Sequence, residues 1–222
     1  MRLAIAALAL AAAPAAAEPR LGPVAPEAYD AVQQQAAQDF AKARGQPPFG
    51  PFSMLMRSPD LMSSARRMGD YLRYHSAIGN TLSEFVILIT ARAWDQEYEW
   101  NVHAPIAARQ GIAQAKIDAI AAGRRPKGMS EDEGICYDFT TELQSTHQVS
   151  DATYSRALKR WGEKGVVDLA GIAGYYTFLS IEMNAARSSP GGPLRLPTIR
   201  GGHAETTPAP TSRGGRGKGS DR

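Results

Sequence analysis

Glu84, together with the pair Glu99 and His103, restricts the fold of this 222-residue chain more than any other feature. Glu84 heads the apolar run Phe85-Val86-Ile87-Leu88, where an ionised carboxylate is costly unless it has a partner. Glu99 and His103, spaced i,i+4, share one helix face about 6 Å apart along the axis. On one straight helix Glu84 would lie roughly 22 Å from Glu99. The three groups meet only if the chain doubles back between them. Trp94-Asp95-Gln96 is the natural turn, with Asp95 placed to cap the second helix. Two carboxyls and an imidazole in one dry place can move protons near neutral pH, because burial and mutual charge drive their pKa values apart.

The rest of the chain between its two ends repeats the helical period. Ala28 to Arg44 is an Ala/Gln-rich helix ending at Gly45, with Tyr29, Val32, Ala36 and Phe40 at helical spacing. Ser58-Pro59-Asp60 reads as an N-cap followed by Pro in the first turn. It leads a helix to about His75 with Leu61, Ala65, Met68 and Leu72 on its inner face. A further helix from Thr81 or Ser83 runs to Trp94, and residues 96–109 and 112–122 form two more, divided by Gly111 and ended by Gly123. Ser130-Glu131-Asp132-Glu133 is a capping box for a helix reaching Ser145. Ser150 starts another, and Glu163 through Asn184 makes the last. No strand-like alternation competes. The fold class is therefore all-α, a single compact helical bundle.

Both ends differ from this middle. Residues 1–17 combine one early Arg, a short apolar core and the small-residue site Ala15-Ala16-Ala17, the three parts of a secretory signal peptide. The run is too short and Ala-rich for a membrane span, and no later stretch supplies a transmembrane segment. The competing reading is an unstructured N-terminus of a cytosolic protein; the signal reading makes the mature protein periplasmic or secreted, beginning near Glu18. Residues 188–222 carry six Lys/Arg against two Asp/Glu, a local charge of +4 that exceeds the +3 of the whole chain. This basic Pro/Gly/Arg-rich tail buries too little apolar surface to offset its chain entropy and is expected to be disordered. It has no aromatic to stack on bases, so nucleic acid is not the expected partner.

Among the candidate residues, Cys136 is the only cysteine and reads as a small buried hydrophobe. His75 and His147 sit at helix C-termini, where the dipole favours them, and His203 lies in the tail. No metal-ligand spacing is completed, so no metal is expected. Arg57, Arg66, Arg67, Arg73 and Arg92 crowd the region of Glu84 in sequence, and a guanidinium can clamp a substrate carboxylate with two hydrogen bonds. Arg92, on the same helix as Glu84, is the preferred candidate, with Arg57 and Trp100 beside it as substrate-binding positions.

Glu84, the step Tyr98-Glu99-Trp100, His103 and the segment Ala107-Ala108-Arg109-Gln110-Gly111-Ile112 resemble the signature of the carboxymuconolactone decarboxylase-like family. This family belongs with the alkylhydroperoxidase D-like disulfide reductases. Gly50 to Pro59 and Glu163 to Asn184 are similar to the decarboxylase branch as well. The resemblance covers residues 48–187, preceded by an N-terminal helical extension at 18–47. In the reductase branch a CxxC pair precedes the His by seven and four residues; here those positions hold Gln96 and Glu99. A dithiol mechanism needs two thiols, so that chemistry is disfavoured. The resemblance implies a cofactor-free decarboxylase acting on a small carboxylated lactone or related acid, with Glu84, Glu99 and His103 as catalytic groups. It also implies a homo-trimer or hexamer. A non-catalytic, oligomeric ligand-binding module remains the alternative from another class.

Overall fold

The computed structural model describes residues 18–199, and within them all regular structure is helical. Residues 1–17, read from the sequence as a signal peptide, and the tail from 200 onward lie outside the described residues. A 3-10 turn, Pro26–Ala28, leads to α1 (Ala31–Arg44), α2 (Pro51–Leu55), α3 (Pro59–Tyr74) and α4 (Asn80–Ala93). Then come α5 (Glu97–Arg109), α6 (Gln114–Ala121), α7 (Glu131–Thr146) and α8 (Asp151–Ala186). The last is two helices joined at Gly162, whose φ of 69° and ψ of −175° break the ladder, as the separate starts at Ser150 and Glu163 anticipate.

α4 lies at the centre, packed against α5, α7 and α8. Every residue from Ser83 to Arg92 is buried. That is the physical meaning of its unbroken apolar run: a helix apolar on all sides is one covered on all sides. The turn after it falls at 94–96, but the cap is Gln96, whose side chain accepts from the Tyr98 amide. Asp95, expected as the cap, instead takes the left-handed conformation that reverses the chain, with φ of 48°.

Three local features depart from the sequence reading. α1 starts three residues later than expected, because Asp30 and Gln33 form a reciprocal capping box and leave Tyr29 outside; Val32 faces solvent. Ser58 makes no capping hydrogen bond to α3. The inner face of α3 is Met62, Ala65, Gly69 and Leu72, while Leu61 and Met68 are exposed on its flank. Gly69 is what moves the face: a Cβ there would lie 2.4 Å from the Tyr175 hydroxyl oxygen, so the glycine lets α8 approach. The Ser130/Glu133 box of α7 forms as read, with the Glu133 amide 3.1 Å from Ser130 Oγ and the Ser130 amide 2.6 Å from Glu133 Oε2.

Residues 188–199, expected to belong to the unstructured tail, run as a strap over α5. Asn101 holds it from both sides: Nδ2 donates to the carbonyls of Pro190 and Leu194, and Oδ1 accepts from the Leu194 amide at 2.8 Å. Composition points to a solvated chain; the side-chain amide of Asn101, with matched donor and acceptor, holds its first half, and Arg92 donates to the Pro197 carbonyl further on. Among the described residues no helix is long and apolar enough to cross a membrane.

Candidate active site

The α4–α5 turn brings together the three groups that are separated in sequence. His103 Nδ1 lies 2.6 Å from Glu84 Oε2, and its Nε2 lies 3.2 Å from Glu99 Oε2. The imidazole is thus held at both nitrogens by carboxylates from two helices. All three residues are buried. On its far side Glu84 accepts from Arg73, at 2.9 Å from Nη2 and 3.3 Å from Nε, so a guanidinium, a carboxylate, an imidazole and a second carboxylate form one line. The Tyr176 ring meets His103 edge-on, with centroids 5.1 Å apart, and Tyr175 packs against Tyr176 in the same manner at 5.2 Å.

This line distributes charge in a definite way. Burial opposes a charge on His103, but the hydrogen bonds and negative charge of Glu84 and Glu99 outweigh it and raise its pKa. Burial would likewise raise Glu84, yet the bond and charge of His103, followed by Arg73, hold it below the ordinary carboxylate range. Both shifts favour the arrangement in which the imidazole holds the proton and donates from both nitrogens, with Glu84 as its ionised partner. Burial and the Glu99 charge push Tyr98 up to about 12, and burial raises Tyr175 and Tyr176, so these phenols are neutral donors.

A cavity of about 40 Å³ opens between Glu99, His103, Arg73 and the rings of Phe49, Phe52 and Tyr98. It is of water size. The two carboxylates and the imidazole face one another rather than a common point, and among the described residues no group of His, Cys, Asp and Glu is arranged to hold a metal ion.

The expected substrate-binding residues are not here. Arg57 is exposed beyond α2, and Trp100 is a core residue on α5. Arg92 pairs with Asp95 at 2.9 Å and donates to the Pro197 carbonyl, in a separate cleft. Eight residues beyond Glu84, its Cα lies about 12 Å further along the α4 axis. The arginine that reaches the site is Arg73, from the last turn of α3. The available signal was the carboxylate itself: buried in an apolar run, Glu84 required a cation. Which of several arginines supplies it depends on how α3 packs on α4. Cys136 is fully buried on α7, and burial with the charges of Asp132 and Glu133 raises its thiol pKa, which makes it a poor nucleophile. Of the two positions where a CxxC would stand, Gln96 caps α5 and donates to Asn184, while Glu99 holds His103.

No family model matches the chain, and no curated protein matches it. Solved structures do. An alkylhydroperoxidase AhpD core protein from Ralstonia eutropha JMP134, described as peroxidase-related, superposes with a TM-score of 0.62 at 15% identity over 78% of this chain and 92% of that one. The fold is that of the AhpD core. A peroxidase-related protein from Silicibacter sp. TM1040 gives 0.60 at 12% identity, covering 72% and 87%. The debrominase Bmp8, solved in complex with 2,3,4-tribromopyrrole, gives 0.59 at 16% identity, covering 75% and 89%. The helical architecture expected from the sequence is thus shared with this group, whose described members span peroxidase-related and dehalogenating proteins.

Proposed function

We propose that the protein is a cofactor-free acid–base enzyme that decarboxylates a small carboxylated, unsaturated lactone or a related acid. The observation that carries this reading is His103, buried and held at both ring nitrogens by two carboxylates, beside a cavity lined by phenols and a guanidinium. In such a lactone the bond to the carboxylate carbon breaks, CO2 leaves, and the electron pair flows through the unsaturation to the lactone carbonyl oxygen. A donor aimed at that oxygen stabilises the developing charge by several kcal/mol in a dry site, on the order of 3. His103 Nε2–H and the Tyr98 hydroxyl are the donors at hand. The dienolate then takes a proton at carbon, supplied by the imidazolium with Glu99 as the relay to solvent. Glu84 does not deliver the proton: clamped by Arg73, it holds His103 in place and favours its charged form.

A cavity of about 40 Å³ is smaller than such a substrate. In this reading the aromatic wall of Phe49, Phe52 and Tyr98 moves outward on binding. With the signal peptide removed, the enzyme works outside the cytoplasm on a lactone available there, as a trimer or hexamer.

The test is to mix the mature protein with a panel of carboxylated butenolides and follow CO2 release and thermal stabilisation. On a responding lactone, His103→Ala lowers kcat by about 100-fold or more, His103→Gln retains more activity because it keeps a donor, and Cys136→Ser is unchanged. Stabilisation without CO2 from any lactone would favour the ligand-binding module. Loss of activity in a folded Cys136→Ser variant would reopen thiol chemistry.

A further inference from the structure

A cleft much larger than the cavity beside His103 lies elsewhere in the bundle. It measures about 630 Å³, within the range of small-molecule sites, and lies between α4, α6 and α7 under the end of the strap. No residue lines both cavities. Ile89, Ile120, Tyr137, Leu196 and Ile199 make its walls apolar, and Ile199 of the strap rests on Gly123 at the end of α6.

The polar groups are few. Arg92 is 8% exposed, unusually covered for an arginine, and its partners are partial: one terminal nitrogen on the exposed Asp95, the other on the Pro197 carbonyl of the strap. Its Nε–H is closed off from solvent and has no acceptor among the described residues. A desolvated donor left without an acceptor costs stability, and an incoming oxygen recovers that cost. Gln144, by contrast, is already committed at both ends, accepting from the Trp94 indole and donating to Thr177. The charges in the cleft are balanced: Arg92 faces Asp95, and Glu97 is approached by Arg195 at 3.6 Å. A net anion or cation therefore gains little here. A flat apolar body with one acceptor oxygen gains most.

We infer that this cleft is a second ligand site, for a neutral cyclic molecule carrying one carbonyl oxygen, anchored by Arg92 and roofed by strap residues 194–199. The oxygen reaches Arg92 Nε–H as the strap lifts at Leu196 and Pro197, while Asn101 keeps its earlier part in place. The site is independent of the reaction at His103.

Coumarin, a neutral bicyclic ring with one carbonyl, is a suitable probe. Titrated into the ¹⁵N-labelled full chain, it should give saturable shifts at the Gly123 amide and the Arg92 Nε–H, with the His103 ring signals unmoved. Arg92→Met should weaken binding about tenfold or more, and Thr141→Trp, which fills the cleft from its wall, should abolish it. Circular dichroism melting checks each variant, and Thr141→Trp decides alone if Arg92→Met does not fold. Absence of saturation, shifts centred on His103 and Tyr176, or undiminished binding in a folded Thr141→Trp variant would overturn the proposal.

Discussion

At the scale of single residues, the molecule turns on which group in a buried line of four carries the proton. The directions of the shifts at Glu84 and His103 make a stability prediction with a definite sign. His103, raised in the folded state, adds stability that is complete below its unfolded value near 6.5 and fades as pH rises through the folded pKa. Glu84, lowered in the folded state, adds stability above its unfolded value near 4.5 that fades as pH falls through the folded pKa. The advantage of the native chain over His103→Gln in melting temperature should therefore be flat between about 4.5 and 6.5 and shrink on the alkaline side. A difference that grows with alkaline pH would contradict it. The same residues show what was legible in advance. Glu84, Glu99 and His103 could be picked out because a carboxylate in an apolar run and an i,i+4 Glu/His pair are local patterns. Arg73 could not, because its claim on Glu84 is made by tertiary packing, and Arg92 drew attention only through its nearness in sequence.

Among the elements, the α3–α8 contact shows why a face read from periodicity can be displaced. Leu61 and Met68 fit the helical period as well as Met62 and Gly69 do, and hydropathy prefers them. The glycine has no side chain to weigh in such a pattern, yet its missing Cβ is where the Tyr175 hydroxyl sits. Gly69→Ala should push Tyr175, and through it Tyr176, away from His103, destabilising the fold by about 1–3 kcal/mol despite alanine's better helix propensity. Denaturant unfolding measures this; a stabilised Gly69→Ala protein would show that the contact yields freely. The capping box of α7 and the turn at 94–96 were readable because both are set by neighbours in sequence. The strap at 188–199 was not, since Asn101 holds it from almost a hundred residues away.

For the whole molecule, the all-α bundle follows from helical periodicity without competing strand signals, and the AhpD-core superposition agrees with it. What periodicity leaves open is the outer surface. Leu61, Met68, Tyr71 and Tyr74 are exposed along α3, and Tyr154 and Leu158 on α8. Large exposed apolar groups in a monomer are expected to find cover. We expect the mature protein to scatter light with three or six times the mass of one chain, and a monomer at micromolar concentration would contradict this. Apolar-to-charged substitutions at Leu61 and Met68 should shift that mass downward if α3 forms the interface.

The most direct test of the central claim is the protonation state of His103. In ¹⁵N-labelled protein at pH 6.5, where a free imidazole is about half protonated, both ring nitrogens of His103 should give predominantly the chemical shifts of an imidazolium and show coupling across the hydrogen bonds to the two carboxylates. As the pH rises His103 should lose its proton later than a free imidazole, and in Glu84→Gln it should titrate at lower pH than in the native chain. A largely neutral imidazole at pH 6.5 in the native protein, or the same titration in both chains, would contradict the account.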